Sequence, residues 1–400
     1  MQVASKRIQN LAESQTLAMA KKVRELKAQG KDIINLTLGE PDFDVPKHIQ
    51  EAAINAIHDS TTHLYPPVAG TSELRAAVAQ YFNKYHQLPY KTENILVSTG
   101  AKQSLINAIM ALVNPGEQVI IPAPYWVSYL PMVKMAEGEP VIVQCGMEQR
   151  FKITAQQLEK AITTNTKLFI INSPSNPTGM MYSKEELAEL VKILEKHPNI
   201  YIIADEIYEQ IHFECEHFSI ARFPSIFDRV ITINGLSKAF SMTGWRVGFT
   251  AAPKWIIDLC ERFQGQVTSG TSHISQRAAI AAVSSDLTPV QQMVIQFRNR
   301  RDSCYNFIKK ELPNLKTLLP DGAFYLYIDV SFYFDKKTSQ DVIIHNVDDF
   351  VEHLLTEAGV ATVSGIAFGT TNHIRISIAT SLEILTDAFN KIKTALDKWK

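Results

Sequence analysis

The sequence predicts an α/β fold with a mainly parallel sheet, joined to a smaller α+β unit. Three observations carry that prediction. Short apolar runs alternate with helical stretches between residues 95 and 251. The polar and glycine-containing segments able to hold a ligand begin just where several of those runs end. Past residue 289 the alternation gives way to one long charged helical stretch and then a different mixture of strands and helices. Parallel sheets are covered by helices on both faces and bind ligands beyond the carboxyl ends of their strands, so the second observation is what the first requires.

Taken in order, residues 11–29 read as a helix closed by Gly30, followed by the apolar run 33–36. The segment Gly39-Glu-Pro-Asp-Phe-Asp44 is broken by Pro41 and followed by Pro46, which leaves Gly39 in a loop whose backbone can approach a ligand. A helix over 48–57, a loop over 64–70 and a helix over 72–86 come next. Apolar runs at 95–98, 119–121, 140–143, 167–172, 201–204, 230–233 and 247–251 read as strands, with helices over 103–113 and 185–196 among them. After a helix over 291–312 and the turn Pro320-Asp-Gly322, residues 323–330 and 374–378 read as strands, and 347–358 and 382–399 as helices. The expected organisation is a large unit over 46–290, a small unit made of 1–45 and 315–400, and a connecting helix over 291–314.

Charge narrows the function. Forty Lys and Arg against 41 Asp and Glu leave no basic excess for nucleic acid or for a membrane surface. No apolar run is long enough to span a bilayer. Cys145, Cys215, Cys260 and Cys304 are scattered and form no Cys-x-x-Cys, which argues against a zinc cage or a disulfide framework; no metal site is expected. Free thiols, with no apolar block among residues 1–22, predict a soluble cytoplasmic protein.

The chemistry centres on Lys238. It stands among Ser237, Ser241, Thr243 and Gly244, in a tight loop between the runs at 230–233 and 247–251, with Arg246 eight residues on. An amine near a second cation and away from carboxylates loses its proton more easily, which suits attack on a carbonyl. Ser98-Thr-Gly-Ala-Lys-Gln-Ser104 joins a strand to a helix, and the amides of Ala101, Lys102 and Gln103 then form a phosphate seat at a helix N-terminus. Many α/β turns share that form. Neither Gly-x-Gly-x-x-Gly nor Gly-x-x-x-x-Gly-Lys-Ser/Thr occurs, so a dinucleotide or nucleoside triphosphate is unsupported. Asn176 follows a strand in a turn with two prolines; it is free to face a ligand, or simply part of a capped turn. Asp205 ends an apolar strand and needs a cationic partner, which a protonated heteroaromatic nitrogen would supply, and Tyr208 stands three residues on.

Asn176-Pro-Thr-Gly179, Asp205-Glu-Ile-Tyr208 and Ser237-Lys-Ala-Phe-Ser-Met-Thr-Gly-Trp-Arg246 together resemble the class I pyridoxal-phosphate aminotransferases. The likeness runs from Leu38-Gly-Glu-Pro-Asp-Phe-Asp44 to His373-Ile-Arg-Ile-Ser377, and Pro124-Tyr-Trp-Val-Ser-Tyr129 is similar to the bacterial-type aspartate aminotransferases. It implies the fold type I of pyridoxal-phosphate enzymes, with a seven-stranded sheet, and a homodimer with a shared active site. It also implies roles. Lys238 would hold pyridoxal 5′-phosphate as a Schiff base and move the substrate proton; Asp205 would keep the ring nitrogen protonated. Asn176 and Tyr208 would bond the ring oxygen, and Trp126 would stack on the ring, where a lone Trp otherwise reads as core. Ala101, Lys102, Ser237 and Arg246 would hold the phosphate, with Tyr65 reaching it from the other subunit. Arg375 would take the substrate α-carboxylate in a bidentate pair, and Gly39 would close over it. The family often has serine three residues before the lysine; here Gly235 stands there, leaving Ser237 to replace that contact. Residues 264–273 hold no arginine of the kind the animal enzymes use for the side-chain carboxylate, so Lys102, with Ser14, would take that role.

The reaction expected from this resemblance is transfer of the amino group of L-aspartate to 2-oxoglutarate by a ping-pong route. An aromatic amino acid or prephenate is the alternative substrate. A non-catalytic regulator on the same fold is remote, since no basic helix-turn-helix segment precedes residue 30.

Overall fold

The computed structural model describes residues 4–9, 11 and 15–400. Its large sheet has seven strands in the order Ile95–Ser98, Gly248–Ala251, Val230–Gly235, Tyr201–Asp205, Thr166–Asn172, Gln118–Ala123 and Glu139–Gln144. Gly248–Ala251 is antiparallel to both neighbours, and the other paired strands are parallel. Alternate side chains feed two separate cores. Phe169, Ile202, Ala204 and Val230 pack on one face, while Leu168, Ile170, Ile203, Ile231 and Ile233 pack on the other. Burial on both faces explains why these strands read as unbroken apolar runs.

The helix Lys184–Glu195 starts where the sequence signals it. Ser183 caps the amide of Glu186, and the Glu186 side chain returns to the amide of Ser183. Elsewhere the boundaries move. The helix expected from 103 begins at Ala101, and the one expected over 11–29 is described as Gln15–Ala28. The stretch over 347–358 is an α-helix only over Val347–His353 and then widens into a π turn over Leu354–Ala358. Lys254–Val267 and His273–Ser284 are helices that the sequence reading had left unassigned.

A second sheet, antiparallel throughout, runs Val363–Ser364, His373–Ser377, Tyr325–Asp329 and Lys316–Thr317. Beside it Ile34–Asn35 pairs in parallel with Val360–Ala361, which brings the N-terminal segment into the C-terminal part of the fold. The 24-residue helix Thr288–Glu311 lies along the junction. Its Arg301, 1 % exposed, bonds both oxygens of Glu214 and the Pro320 carbonyl, while Arg300 grips both oxygens of Asp42 at 2.6 and 2.9 Å. The amides of Asp321 and Gly322 both donate to the Gly179 carbonyl. These contacts tie the second sheet to the carboxyl edge of the first. Among the described residues no helix is long and apolar enough to cross a membrane, and the four cysteines are free thiols.

Candidate functional site

At that edge lies a cavity of about 270 Å³, near the lower end of the range for small-molecule sites, roughly 300–1,000 Å³. Gly39, Ala101, Lys102, Trp126, Asn176, Asp205, Tyr208, Ser237, Lys238, Arg246 and Arg375 all line it. Of the predicted set, Tyr65 and Gln103 stay out: Tyr65 is 97 % exposed, and the Gln103 amide, expected in the phosphate seat, donates to the Gly100 carbonyl at 2.9 Å instead; neither lines this cavity. Ser14 lies outside the described residues.

Topology explains the convergence. Asp205 is the last residue of its strand, and Asn176 and Lys238 follow the ends of the strands on either side. Lys238 Nζ donates to the Gly39 carbonyl, 199 residues away in sequence. Burial lowers the lysine to about 8; Glu40 opposes the shift, and the charges of Arg375 and Arg246 add to it. Part of the amine is therefore neutral near pH 7, the form that can act as nucleophile or base.

Asp205 is 4 % exposed, and burial raises it to about 6 against the pull of its hydrogen bonds and of Lys238. Tyr129 Oη donates to its Oδ2 at 2.6 Å, and the amide of Ile207 donates to Oδ1 at 3.3 Å. No cation of the described residues comes within ion-pair distance. A buried carboxylate left in that state calls for a positive partner from a ligand.

The anion seat is built by close approach. Gly100, at φ +84°, caps the helix Ala101–Leu112 without a side chain, and the first two helical amides have no backbone acceptor in the helix. A Cβ on Gly100 would stand 2.4 Å from Arg246 Nη2, and one on Gly248 would stand 2.2 Å from the Ala101 nitrogen. The strand start, the helix start and the arginine are thus pressed together. Arg246 itself is held by a bond from Nη1 to the Thr243 carbonyl at 2.8 Å. Lys102 Nζ sits 5.1 Å from the centre of the Trp126 ring, and burial with the charge of Arg246 lowers its pKa. Gly235 has no room for the serine common at its position, because a Cβ would meet the Val247 carbonyl at 2.8 Å. Ser237 remains as the nearby hydroxyl on the cavity wall.

Arg375, 3 % exposed, also lines the cavity and is oriented before any substrate arrives. Nη1 donates to Asn176 Oδ1 at 3.0 Å, Nη2 donates to the Thr37 carbonyl at 2.6 Å, and Nε has no partner among the described residues. Its guanidinium lies 4.5 Å from the ring centre of Tyr325 and 5.0 Å from that of Phe368. Tyr325 in turn shares a 2.8 Å hydroxyl contact with Tyr208. The sequence reading gave no role to Tyr325 or Tyr129. Period-two alternation along the strand would have put Tyr325 and Tyr327 on one face, but nothing local tied that face to Arg375. Tyr129 ends a motif that was recognised, yet its partner lies 76 residues on.

The cavity therefore holds a depressed lysine, an acid in want of a cation, an anion seat with two cations, and a second buried guanidinium. It suits a small, multiply anionic ligand with a carbonyl and a basic ring nitrogen.

Known proteins of similar sequence and shape agree with that chemistry. The family model described as aminotransferase class I and II matches residues 31–392. A Rickettsia felis protein named probable aspartate/prephenate aminotransferase is 44 % identical over 397 residues, covering 99 % of this chain and 97 % of its own. The crystal structure of the aspartate aminotransferase from Rhizobium meliloti superposes with a TM-score of 0.96 at 38 % identity over 100 % of both chains. That of Thermus thermophilus, with maleate, gives 0.91 at 38 % identity over 99 % of this chain and 100 % of its own.

Proposed function

Since the chain belongs to the class I and II aminotransferases, we propose that it moves the amino group of L-aspartate to 2-oxoglutarate, yielding oxaloacetate and L-glutamate in two alternating half-reactions. The cofactor is pyridoxal 5′-phosphate, and the cavity fits it. Asp205 has no ion-pair partner among the described residues, the amides of Ala101 and Lys102 have no backbone acceptor, and Lys238 offers a partly neutral amine in the same cavity. When bound, this cofactor supplies a carbonyl for the amine and a ring that accepts the electron pair left at the substrate Cα.

The chain supplies the rest. The amides of Ala101 and Lys102, with Arg246 and Ser237, would hold the phosphate, and Asp205, steadied by Tyr129, would pair with the ring nitrogen. Asn176 spends its oxygen on Arg375, which leaves its amide N–H for the ring oxygen beside Tyr208. Trp126 covers the ring. Arg375 takes the α-carboxylate with the N–H groups that Asn176 and Thr37 leave free, while the backbone at Gly39 closes the site from above. Lys238 would take the proton from the substrate Cα and deliver it to the carbon that had borne the cofactor's carbonyl.

The observation that carries the substrate assignment is that two cations free of any acid partner among the described residues, Lys102 and Arg375, line one cavity. Arg375 takes one carboxylate and Lys102, unpaired with any acid among the described residues, takes the other. Maleate in the Thermus thermophilus structure is a dicarboxylate of the length of aspartate. The Rickettsia felis relative, named for aspartate and prephenate, favours prephenate as a second amino acceptor; it too carries two carboxylates and asks for the same pair of cations.

We further assign the cofactor-holding unit to residues 46–290, the small unit to 1–45 and 315–400, and the connection to 291–314. Tyr65, exposed on this chain, would complete the phosphate seat of a second copy in a homodimer. Balanced charge and free thiols support a soluble, cytoplasmic enzyme. The test is the absorption spectrum of the purified protein. A visible band should fade with L-aspartate and return with 2-oxoglutarate, and Lys238→Ala should bind the cofactor yet lose turnover. Substantial transamination by that variant would sink the assignment, and a band that ignores aspartate would remove the substrate.

A further inference from the structure

Behind the turn that carries Asp205 and Tyr208 lies a second group of titratable side chains, which the chemistry above does not use. Glu206 and Glu209 belong to that same turn and are each 3 % exposed. Three other parts of the chain face them: Tyr81 and His86 from the helix Ser72–His86, His217 and Ser219 from a loop, and Asn234 from the strand leading to Lys238. Tyr81 Oη donates to Glu209 Oε1 at 2.6 Å, and Asn234 Nδ2 donates to the same oxygen at 3.3 Å. His86 Nε2 lies 3.3 Å from Glu209 Oε2, and His217 Nε2 lies 4.0 Å from Glu206 Oε1. The two imidazoles meet edge to face, with centres 5.8 Å apart. Asp205 and Tyr90 are the other ionisable groups acting on Glu206, while Arg222 acts on His86 and His212 on His217.

Two buried acids and two buried imidazoles are a costly way to fill a core. Glu206 Oε2 and both ring nitrogens of His217 have no hydrogen-bond partner among the described residues, and His86 Nε2 and Glu209 Oε2 meet as an ion pair without hydrogen-bond geometry. The four groups divide into unlike pairs. Burial would raise Glu209, yet His86, Tyr81 and His217 together hold the acid below its ordinary range; burial would lower His86, yet Glu209 and Glu206 together lift it above. Burial pushes Glu206 up to about 8 and His217 down to about 3. The first pair is thus shifted toward its ionic form and the second toward its neutral form.

We propose that Glu206, Glu209, His86 and His217 are positioning residues: a buried proton-sharing cluster that holds the Asp205–Tyr208 turn from behind and keeps a second negative charge from forming beside Asp205. This rests on the role given to Asp205 above. The ion pair His86–Glu209 joins the turn to the helix Ser72–His86, and Asn234 joins it to the strand before Lys238, so three segments share one anchor. Glu206 follows Asp205 directly. Two ionised carboxylates on consecutive buried residues would repel, and the proton held by Glu206 leaves the charge to Asp205 alone.

Glu206→Gln tests this, since the amide copies the neutral acid and cannot ionise. The first readout is the thermal midpoint of the full chain freed of cofactor. Glu206 is raised in the fold, so the wild type loses stability as pH climbs from about 4.5 toward 8. The variant should gain on it by about 2 °C or more between pH 5 and pH 8. The second readout is the pH midpoint of the visible band in the loaded enzyme. Curves should coincide below pH 7; above pH 8 the variant, lacking the new negative charge, should give up the site proton about 0.3 units earlier or more. Glu206→Asp, which keeps an acid, should restore the wild-type midpoint. Equal stability slopes in the two proteins would overturn the cluster, and an altered slope with an unmoved band would overturn its positioning role. A wild-type chain that never binds pyridoxal phosphate would sink the proposed function instead, and the cofactor-free titration would still decide whether the cluster holds its proton.

Discussion

Replacing Asp205 with Asn separates charge from shape at the site. The asparagine oxygen can still accept from Tyr129, whose hydroxyl lies 2.6 Å from the native carboxylate, and the volume is unchanged. Only the weaker 3.3 Å bond from the Ile207 amide loses its acceptor. What disappears is the negative charge offered to the ring nitrogen. A contact pair at an effective dielectric of about 20 is worth about 4 kcal/mol, and breaking a buried pair costs about 3–5 kcal/mol. At about 1.4 kcal/mol per factor of ten, the half-reaction with L-aspartate should slow by about 10²–10³-fold. Stopped-flow absorbance at saturating aspartate reads that rate directly, and the visible band confirms that cofactor is still bound. Stability provides the control. Asp205 is raised to about 6 by burial, so the wild type loses stability as pH rises through the interval from about 4 to 6. The variant escapes that loss and should be at least as stable as the wild type at pH 7. A half-reaction within about five-fold of wild type would refute the role given to Asp205. So would a slow half-reaction accompanied by a marked loss of stability at pH 7.

Two further substitutions probe other parts of the site. Lys102→Ala should lower kcat/KM for aspartate by about 5–30-fold, the worth of a partly solvated charged hydrogen bond of about 1–2 kcal/mol, and leave an aromatic amino acid within about two-fold; equal losses on both would remove Lys102 as the specificity residue. Gly248→Ala drives a Cβ to 2.2 Å from the Ala101 nitrogen, where both parties are backbone and neither can yield; cofactor affinity should fall more than about ten-fold with far-ultraviolet circular dichroism unchanged, as titration of the cofactor-free protein would show.

The parts of the site legible in the sequence are those where one short segment both makes the structure and bears the chemistry. Asp205 ends a run of apolar residues, so strand and acid were read together. Gly100 and Lys238 each sit in a turn that the flanking apolar runs delimit. What escaped depends on partners far along the chain. Tyr129 meets Asp205 across 76 residues, Tyr208 meets Tyr325 across 117, and His86 and Glu209 carry no local sign of each other. The helix begins at Ala101, two residues before its apolar pattern, because Gly100 caps it without a side-chain oxygen to mark the start. Lys254–Val267 and His273–Ser284 went unassigned. The second is rich in small residues and packs on the helices Lys47–His58 and Ser72–His86, a partnership no local pattern announces.

The reversed strand Gly248–Ala251 sets a mechanical limit. A parallel connection would have sent the chain across the sheet before the next strand began. The antiparallel turn brings it back at once, so that Lys238 and Arg246 stand on one edge, eight residues apart in a single hairpin. The covalent and ionic anchors of the proposed cofactor therefore share one short span of backbone, and their spacing behaves as a gauge cut into the chain. Arg375 and Gly39 reach the cavity from other parts of the fold. One residue inserted between Lys238 and Arg246 would therefore shift one anchor against the other, whereas a change near Arg375 or Gly39 leaves that spacing intact.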